Sequence, residues 1–160
     1  MGLDATVYCD CYEKGKMRTP PPQPGFLSID QDGGLCLDCD QPNADEFGFY
    51  KWLATACEHG PWGKLVSHRL GNIALIGFLR ELLAREPERV PILLKKVLYD
   101  GTHGGDFLSP ADVGLVAIEV DRLKDVHAIQ NGEEDLVRHF EDQMRELVHA
   151  SQSVGKPIAF

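Results

Sequence analysis

After Cys57 this chain of 160 residues contains no cysteine. The five it has are an odd number, which argues against a framework made only of disulfides. No apolar run reaches the roughly 18 residues of a membrane-spanning helix, so no membrane span is expected. The opening MGLDATVYCDCYEKGK lacks a basic segment followed by an apolar one, so no secretory leader is expected either. Both absences point to the cytoplasm, where thiols stay reduced. Basic residues are outnumbered, 16 against 25 acidic ones, and they are scattered. Nucleic acid is therefore not an expected partner, because phosphate binding needs clustered Lys and Arg. The net charge of −9 suits solubility, or steering towards a basic protein partner. The chain also lacks G-x-S-x-G, H-E-x-x-H, G-x-x-x-x-G-K-[ST] and G-x-G-x-x-G, and with them the common hydrolase, metalloprotease and nucleotide signatures. Asp30, Asp32, Asp38 and Asp40 miss the register of a calcium loop and read as turn chemistry.

What is present divides by periodicity. The length suits one domain over residues 1–160, able to bury a core without staples. Residues 1–43 are rich in Gly, Pro and Asp, with a strand over Ala5 to Cys11. A polyproline-type connector follows at Thr19 to Gly25. Phe26 to Asp30 and Leu35 to Cys39 flank Gln31-Asp-Gly-Gly34, a hairpin pattern. Residues 44–155 read as helical. Asn43 with Glu46 suggests a capped start, and Phe47, Tyr50, Ala54 and Cys57 share one face of the helix that follows. Asn72 caps a helix apolar on two faces, one carrying Ile73, Ile76, Leu79 and Leu83, the other Leu75, Phe78 and Leu82. A short helix is expected from Pro91 to Tyr99. Ser109-Pro110-Ala111-Asp112 opens another strongly. A last helix is expected from about Glu133 to Ala150, and residues 156–160 form a short terminal strand. The fold expected is α+β, a small N-terminal β-sheet or hairpin against a layer of four to five helices.

The candidate chemistry lies in three clusters, Cys9-x-Cys11, Cys36-x-x-Cys39 and Cys57-x-His59. Two metal sites can be drawn from them. Cys9, Cys11, Cys36 and Cys39 would form a four-thiolate zinc site. On a strand Cys9 and Cys11 would share a face, whereas Cys36 and Cys39 could both ligate only if their strand breaks near Asp38. Alternatively Cys9 or Cys11 joins Cys57, His59 and His103 in a mixed nitrogen and sulfur site or a metal-free pocket. His103 lies in the loop Gly101-Thr-His-Gly-Gly-Asp106, where glycines allow close backbone approach. The same Cys57, His59 and His103 could serve a small enzyme, although a helix C-terminus at Cys57 would disfavour its thiolate. Arg69 could grip a carboxylate or carbonyl with its planar fork, and Asn72 reads as a cap.

Four motifs spread along the chain, MGLDATVYCDCYEKGK, ACEHG with the following HRLGN, DGTHGGDF and ASQSVGKPIAF, resemble a family of bacterial proteins similar to immunity-type proteins of toxin systems. The resemblance implies a protein that binds and blocks a toxin partner rather than turning over a substrate. The positions falling in these motifs are Cys9, Cys11, Cys57, His59, Arg69, Asn72 and His103, whereas Cys36 and Cys39 fall outside them.

Overall fold

The computed structural model describes residues 2–126 and 132–160 and is α+β. Strand β1 (Gly2–Tyr8) pairs antiparallel along its whole length with β4 (Lys64–Asn72), from Gly2 opposite Asn72 to Tyr8 opposite Lys64. Two register shifts, between Leu3 and Asp4 and between Val7 and Tyr8, interrupt the ladder. The chain end supplies β6 (Ile158–Ala159), which lies between β1 and β5 (Phe107–Leu108) and completes a four-stranded sheet ordered β4-β1-β6-β5. A separate hairpin of β2 (Leu27–Ile29) and β3 (Leu35–Leu37) forms where the glycine-containing turn places it. Gly33 is in the left-handed region there (φ 84°), and a Cβ at 33 would sit 3.1 Å from the Pro157 ring, a tighter than ordinary contact.

β4 falls within residues 44–155, where only helices were expected. Its apolar residues Leu65, Val66 and Leu70 do not alternate. Its partner β1 lies far back in the chain, so no tight turn marks the pair.

Helix α1 (Glu46–Leu53) starts at Asp45, whose carboxylate accepts from the Gly48 N–H at 2.9 Å. Asn43, expected at this cap, instead adopts a left-handed turn conformation (φ 66°). The buried face also differs from the one read from the spacing. Phe49 and Leu53 are buried, while Phe47 is 80% exposed. Helix α2 (Ile73–Leu83) does begin at Asn72, whose side chain accepts from the Leu75 N–H. Ile76, Leu79, Leu82 and Leu83 enter the core, but Ile73 stays 74% exposed.

Residues 91–97 form a helical segment with one π-type turn, Leu93–Val97. The buried Glu119 carboxylate accepts from the Ile92 and Leu93 N–H groups at its start. Helix α3 (Pro110–Asp121) carries the capping box read from Ser109 and Asp112. Helix α4 (Glu134–Val154) runs past Ala150 to a left-handed Gly155. Phe140, Met144 and Leu147 of α4 meet Val113, Val116 and Val120 of α3, the α2 leucines and Leu3, Ala5 and Val7 of β1 in one core. No helix among the described residues is long and apolar enough to cross a membrane.

Candidate metal centre and cleft

β1 ends at Tyr8, so the Cys9-x-Cys11 pair lies beyond the strand and not on its face. Cys9 keeps one tie to the sheet end, its N–H donating to the Gly63 carbonyl at 2.8 Å. The chain then turns, and the Lys16 N–H closes the turn on the Cys11 carbonyl at 2.8 Å. Facing it is the connector between α1 and β4. The helix stops at Leu53, and turns carry Cys57 and His59 before Gly60-Pro61. Trp62 and Gly63 are both left-handed (φ 71° and 67°), which reverses the chain into β4. Two bonds lace the loops together, Arg18 N–H to the Ala56 carbonyl at 2.7 Å and Trp52 Nε1 to the Thr19 carbonyl at 3.1 Å.

The result is a cluster of four donor atoms from two distant segments. Cys9 Sγ and Cys57 Sγ lie 3.8 Å apart, Cys11 Sγ and His59 Nδ1 lie 3.3 Å apart, and all four atoms are within 4.8 Å of one another. The three cysteines are at most 9% exposed, with Met17 and Leu65 packed against them. Burial is the main reason that all three thiols titrate above their ordinary range. A coordinated metal would overcome that preference, since it deprotonates a ligating thiol outright. Because Cys57 lies beyond the end of α1, the helix dipole argument against its thiolate does not apply. Three soft thiols and an imidazole can hold a metal ion at this spacing.

The four-cysteine alternative is not formed. Cys36 faces Ser28 across the β2–β3 hairpin, its Sγ 3.1 Å from the Ser28 hydroxyl. Cys39 Sγ donates to the Leu37 carbonyl just behind it. Each thiol is thus held within its own hairpin. His103 does not join the cluster either. Its Nε2 lies 2.9 Å from the Val97 carbonyl, and its ring packs on Tyr99 and Phe160. The pocket of Cys57, His59 and His103 drawn for an enzyme is therefore not assembled.

His103 lines a second feature, a cleft of about 660 Å³ at the other end of β1. Gly2 to Asp4 begin it and α2 forms one wall. The loop through Tyr99 and His103, with Phe160, forms the opposite wall. Arg69 stands at the same end, opposite Asp4 in the β1–β4 register, whereas Asn72 is occupied in capping α2. The sequence-derived candidates thus separate into Cys9, Cys11, Cys57 and His59 at one end of the sheet and Arg69 and His103 at the other. Arg80, Tyr99 and Phe160 belong to the cleft and were not singled out from the sequence. Ile73, read from its spacing as part of one apolar face of α2, instead stands exposed beside the cleft. The chain matches no protein-family model, no curated protein and no solved structure.

Proposed function

We propose that this protein binds a zinc ion through Cys9, Cys11, Cys57 and His59, and that the ion serves its structure. The observation that carries this reading is the spacing of the donors. With Zn–S bonds of about 2.3 Å, a tetrahedral edge between two thiolates is about 3.8 Å. Cys9 and Cys57 stand at that separation. The Cys11–His59 pair, at 3.3 Å, is close to the about 3.5 Å expected for a sulfur–nitrogen edge. Weak S–H hydrogen bonds account for each of these two contacts singly, whereas one ion gives a single reason for all four donors to lie within 4.8 Å of one another. The donor set also discriminates among metals. An iron–sulfur cluster is ordinarily held by four cysteines, whereas three cysteines and one histidine form a familiar structural zinc set. With four protein ligands no coordination position is left for a substrate, which separates this site from catalytic zinc. The ion would join the turn after β1 to the connector before β4, two segments with little apolar surface of their own.

The test is metal content by mass spectrometry on freshly purified, untagged protein, with thiols counted in the same sample. About one zinc per chain is expected. Cys36 and Cys39 should react at once, and Cys9, Cys11 and Cys57 only after chelation. Metal-free protein whose thiols all react freely, even after zinc is added back, overturns the proposal. The partner-binding reading, an immunity-type protein meeting a basic toxin, rests on the acidic balance and on the resemblance of the motifs, with no matching family behind it, and a structural ion is compatible with it.

A further inference from the structure

The cleft at the far end of β1 has the size, walls and charge of a ligand site. Its volume of about 660 Å³ lies in the range of small-molecule pockets, roughly 300–1,000 Å³. Ile73, Ile76, Leu98 and Phe160 give it apolar walls, and Ile73 is a large side chain left in solvent at its mouth. Two polar groups of its loop are already engaged. The Tyr99 hydroxyl donates to the Thr102 carbonyl at 2.7 Å, and His103 Nε2 is held by Val97. Gly101 lets the Tyr99 ring fold back, since a Cβ there would sit 2.5 Å from that ring. Tyr99 and His103 are thereby fixed in place as a wall.

Arg69 differs from them. Its guanidinium has no hydrogen bond or ion pair among the described residues, and it lies over Gly2, where a Cβ would be 2.9 Å from its terminal nitrogen. Arg80, the other cation of the cleft, is already paired with Asp100 at 3.3 Å. Asp4 and Asp100 also line the cleft, so a ligand of high negative charge would meet repulsion. One unpaired planar fork beside apolar walls matches one carboxylate on an apolar body. We propose that this cleft binds a small organic monocarboxylate, with its carboxylate on Arg69 and its apolar part against Ile73, Ile76 and Phe160.

The experiment is calorimetric titration of the protein as purified with 3-phenylpropionate, with the neutral isostere 3-phenylpropanol, and with phenyl phosphate. Two variants accompany it. Arg69→Gln removes the fork, and nothing described depends on that side chain. Gly77→Leu fills the cleft, because a Cβ at 77 meets no atom within 4 Å. Saturable binding of the acid, at least tenfold tighter than the alcohol, is expected. Arg69→Gln should reduce the acid to the level of the alcohol, and Gly77→Leu should abolish both with an unchanged circular dichroism spectrum. Equal affinity for acid and alcohol, tighter binding of phenyl phosphate, an unaffected Arg69→Gln variant, or no binding of the acid at millimolar concentration would each overturn the assignment.

Discussion

Cys57 and Cys39 are chemically the same residue in different surroundings, and the difference can be measured. Cys57 is buried beside Cys9, whereas Cys39 is exposed and bonded only to its own hairpin. Cys57→Ser should therefore abolish zinc retention through gel filtration, and Cys39→Ser should leave it unchanged. Thiolate ligation fixes the direction of the pH dependence. The metal needs thiolates, so protons must leave on loading, about three per ion, and affinity falls as pH is lowered. A chelator competition at about pH 7.5 and about pH 6 should show weaker binding at the lower value, and equal affinities would count against thiolate ligation. Gly63 supports the same site through its backbone. Its φ of 67° is left-handed, and its Cβ position lies 3.4 Å from Cys9 Sγ. Gly63→Ala should cost about 1–2 kcal/mol from the backbone conformation, visible as a lower melting temperature. At this scale the ligand types were legible in the sequence, because cysteine and histidine at short spacing are rare enough to notice. Which of them meet was not, since Cys9 and Cys57 are joined only by the pairing of β1 with β4.

Elements were legible where local chemistry decides them. The Ser109-Pro110 start of α3 forms as read, because its cap needs nothing distant. The Ser109 hydroxyl accepts from the Asp112 N–H at 3.2 Å, and the Asp112 carboxylate accepts in return from the Ser109 N–H at 3.2 Å. Ser109→Ala should cost about 1 kcal/mol in urea denaturation. Asp112 adds a pH dependence. The Lys96 ammonium at 2.7 Å, followed by the Ser109 hydroxyl, holds its carboxyl below the ordinary range. A carboxyl with a depressed folded value stabilises fully above its unfolded value, about 3.9, and loses that contribution as pH falls below it. Stability measured from pH 6 down to about 2.5 should therefore fall less steeply in Asp112→Asn than in the parent, and parallel profiles would deny the carboxylate this role. Where distant packing decides, local signals misled. Asn43 and Asp45 are both good caps, and tertiary placement selected Asp45. Gly155 marked the true end of α4, a left-handed C-terminal position that outweighs the loss of apolar spacing after Ala150.

Across the whole molecule the two candidate sites lie at opposite ends of β1, a strand of about 20 Å at its usual rise per residue. Antiparallel β4 connects the same two ends, with Lys64 beside the cysteines and Asn72 beside the cleft. The sheet is held between β1 and β5 by a strand of only two residues. β6 pairs Ala159 with Thr6 of β1 on one side and with Phe107 of β5 on the other. Lys156, just before it, is buried and donates to the Gly33 carbonyl at 2.9 Å and pairs with Glu13 at 2.6 Å. The terminal segment thus fastens the β2–β3 hairpin and the turn after the C-x-C pair to the main sheet. Ile158 is fully buried within the common core, where its neighbours come from elements distant in sequence. Truncating it leaves a cavity that β6, held on both edges, can collapse around only partly. Ile158→Ala should therefore cost about 2–5 kcal/mol, more than either the Ser109 or the Gly63 substitution. The measurement is the urea midpoint with the slope held in view. A lower midpoint at constant slope fits loss of packing within one cooperative unit. A reduced slope would mean that the hairpin and the turn had come apart from the sheet before global unfolding, and that β6 acts as a clasp more than as a core strand.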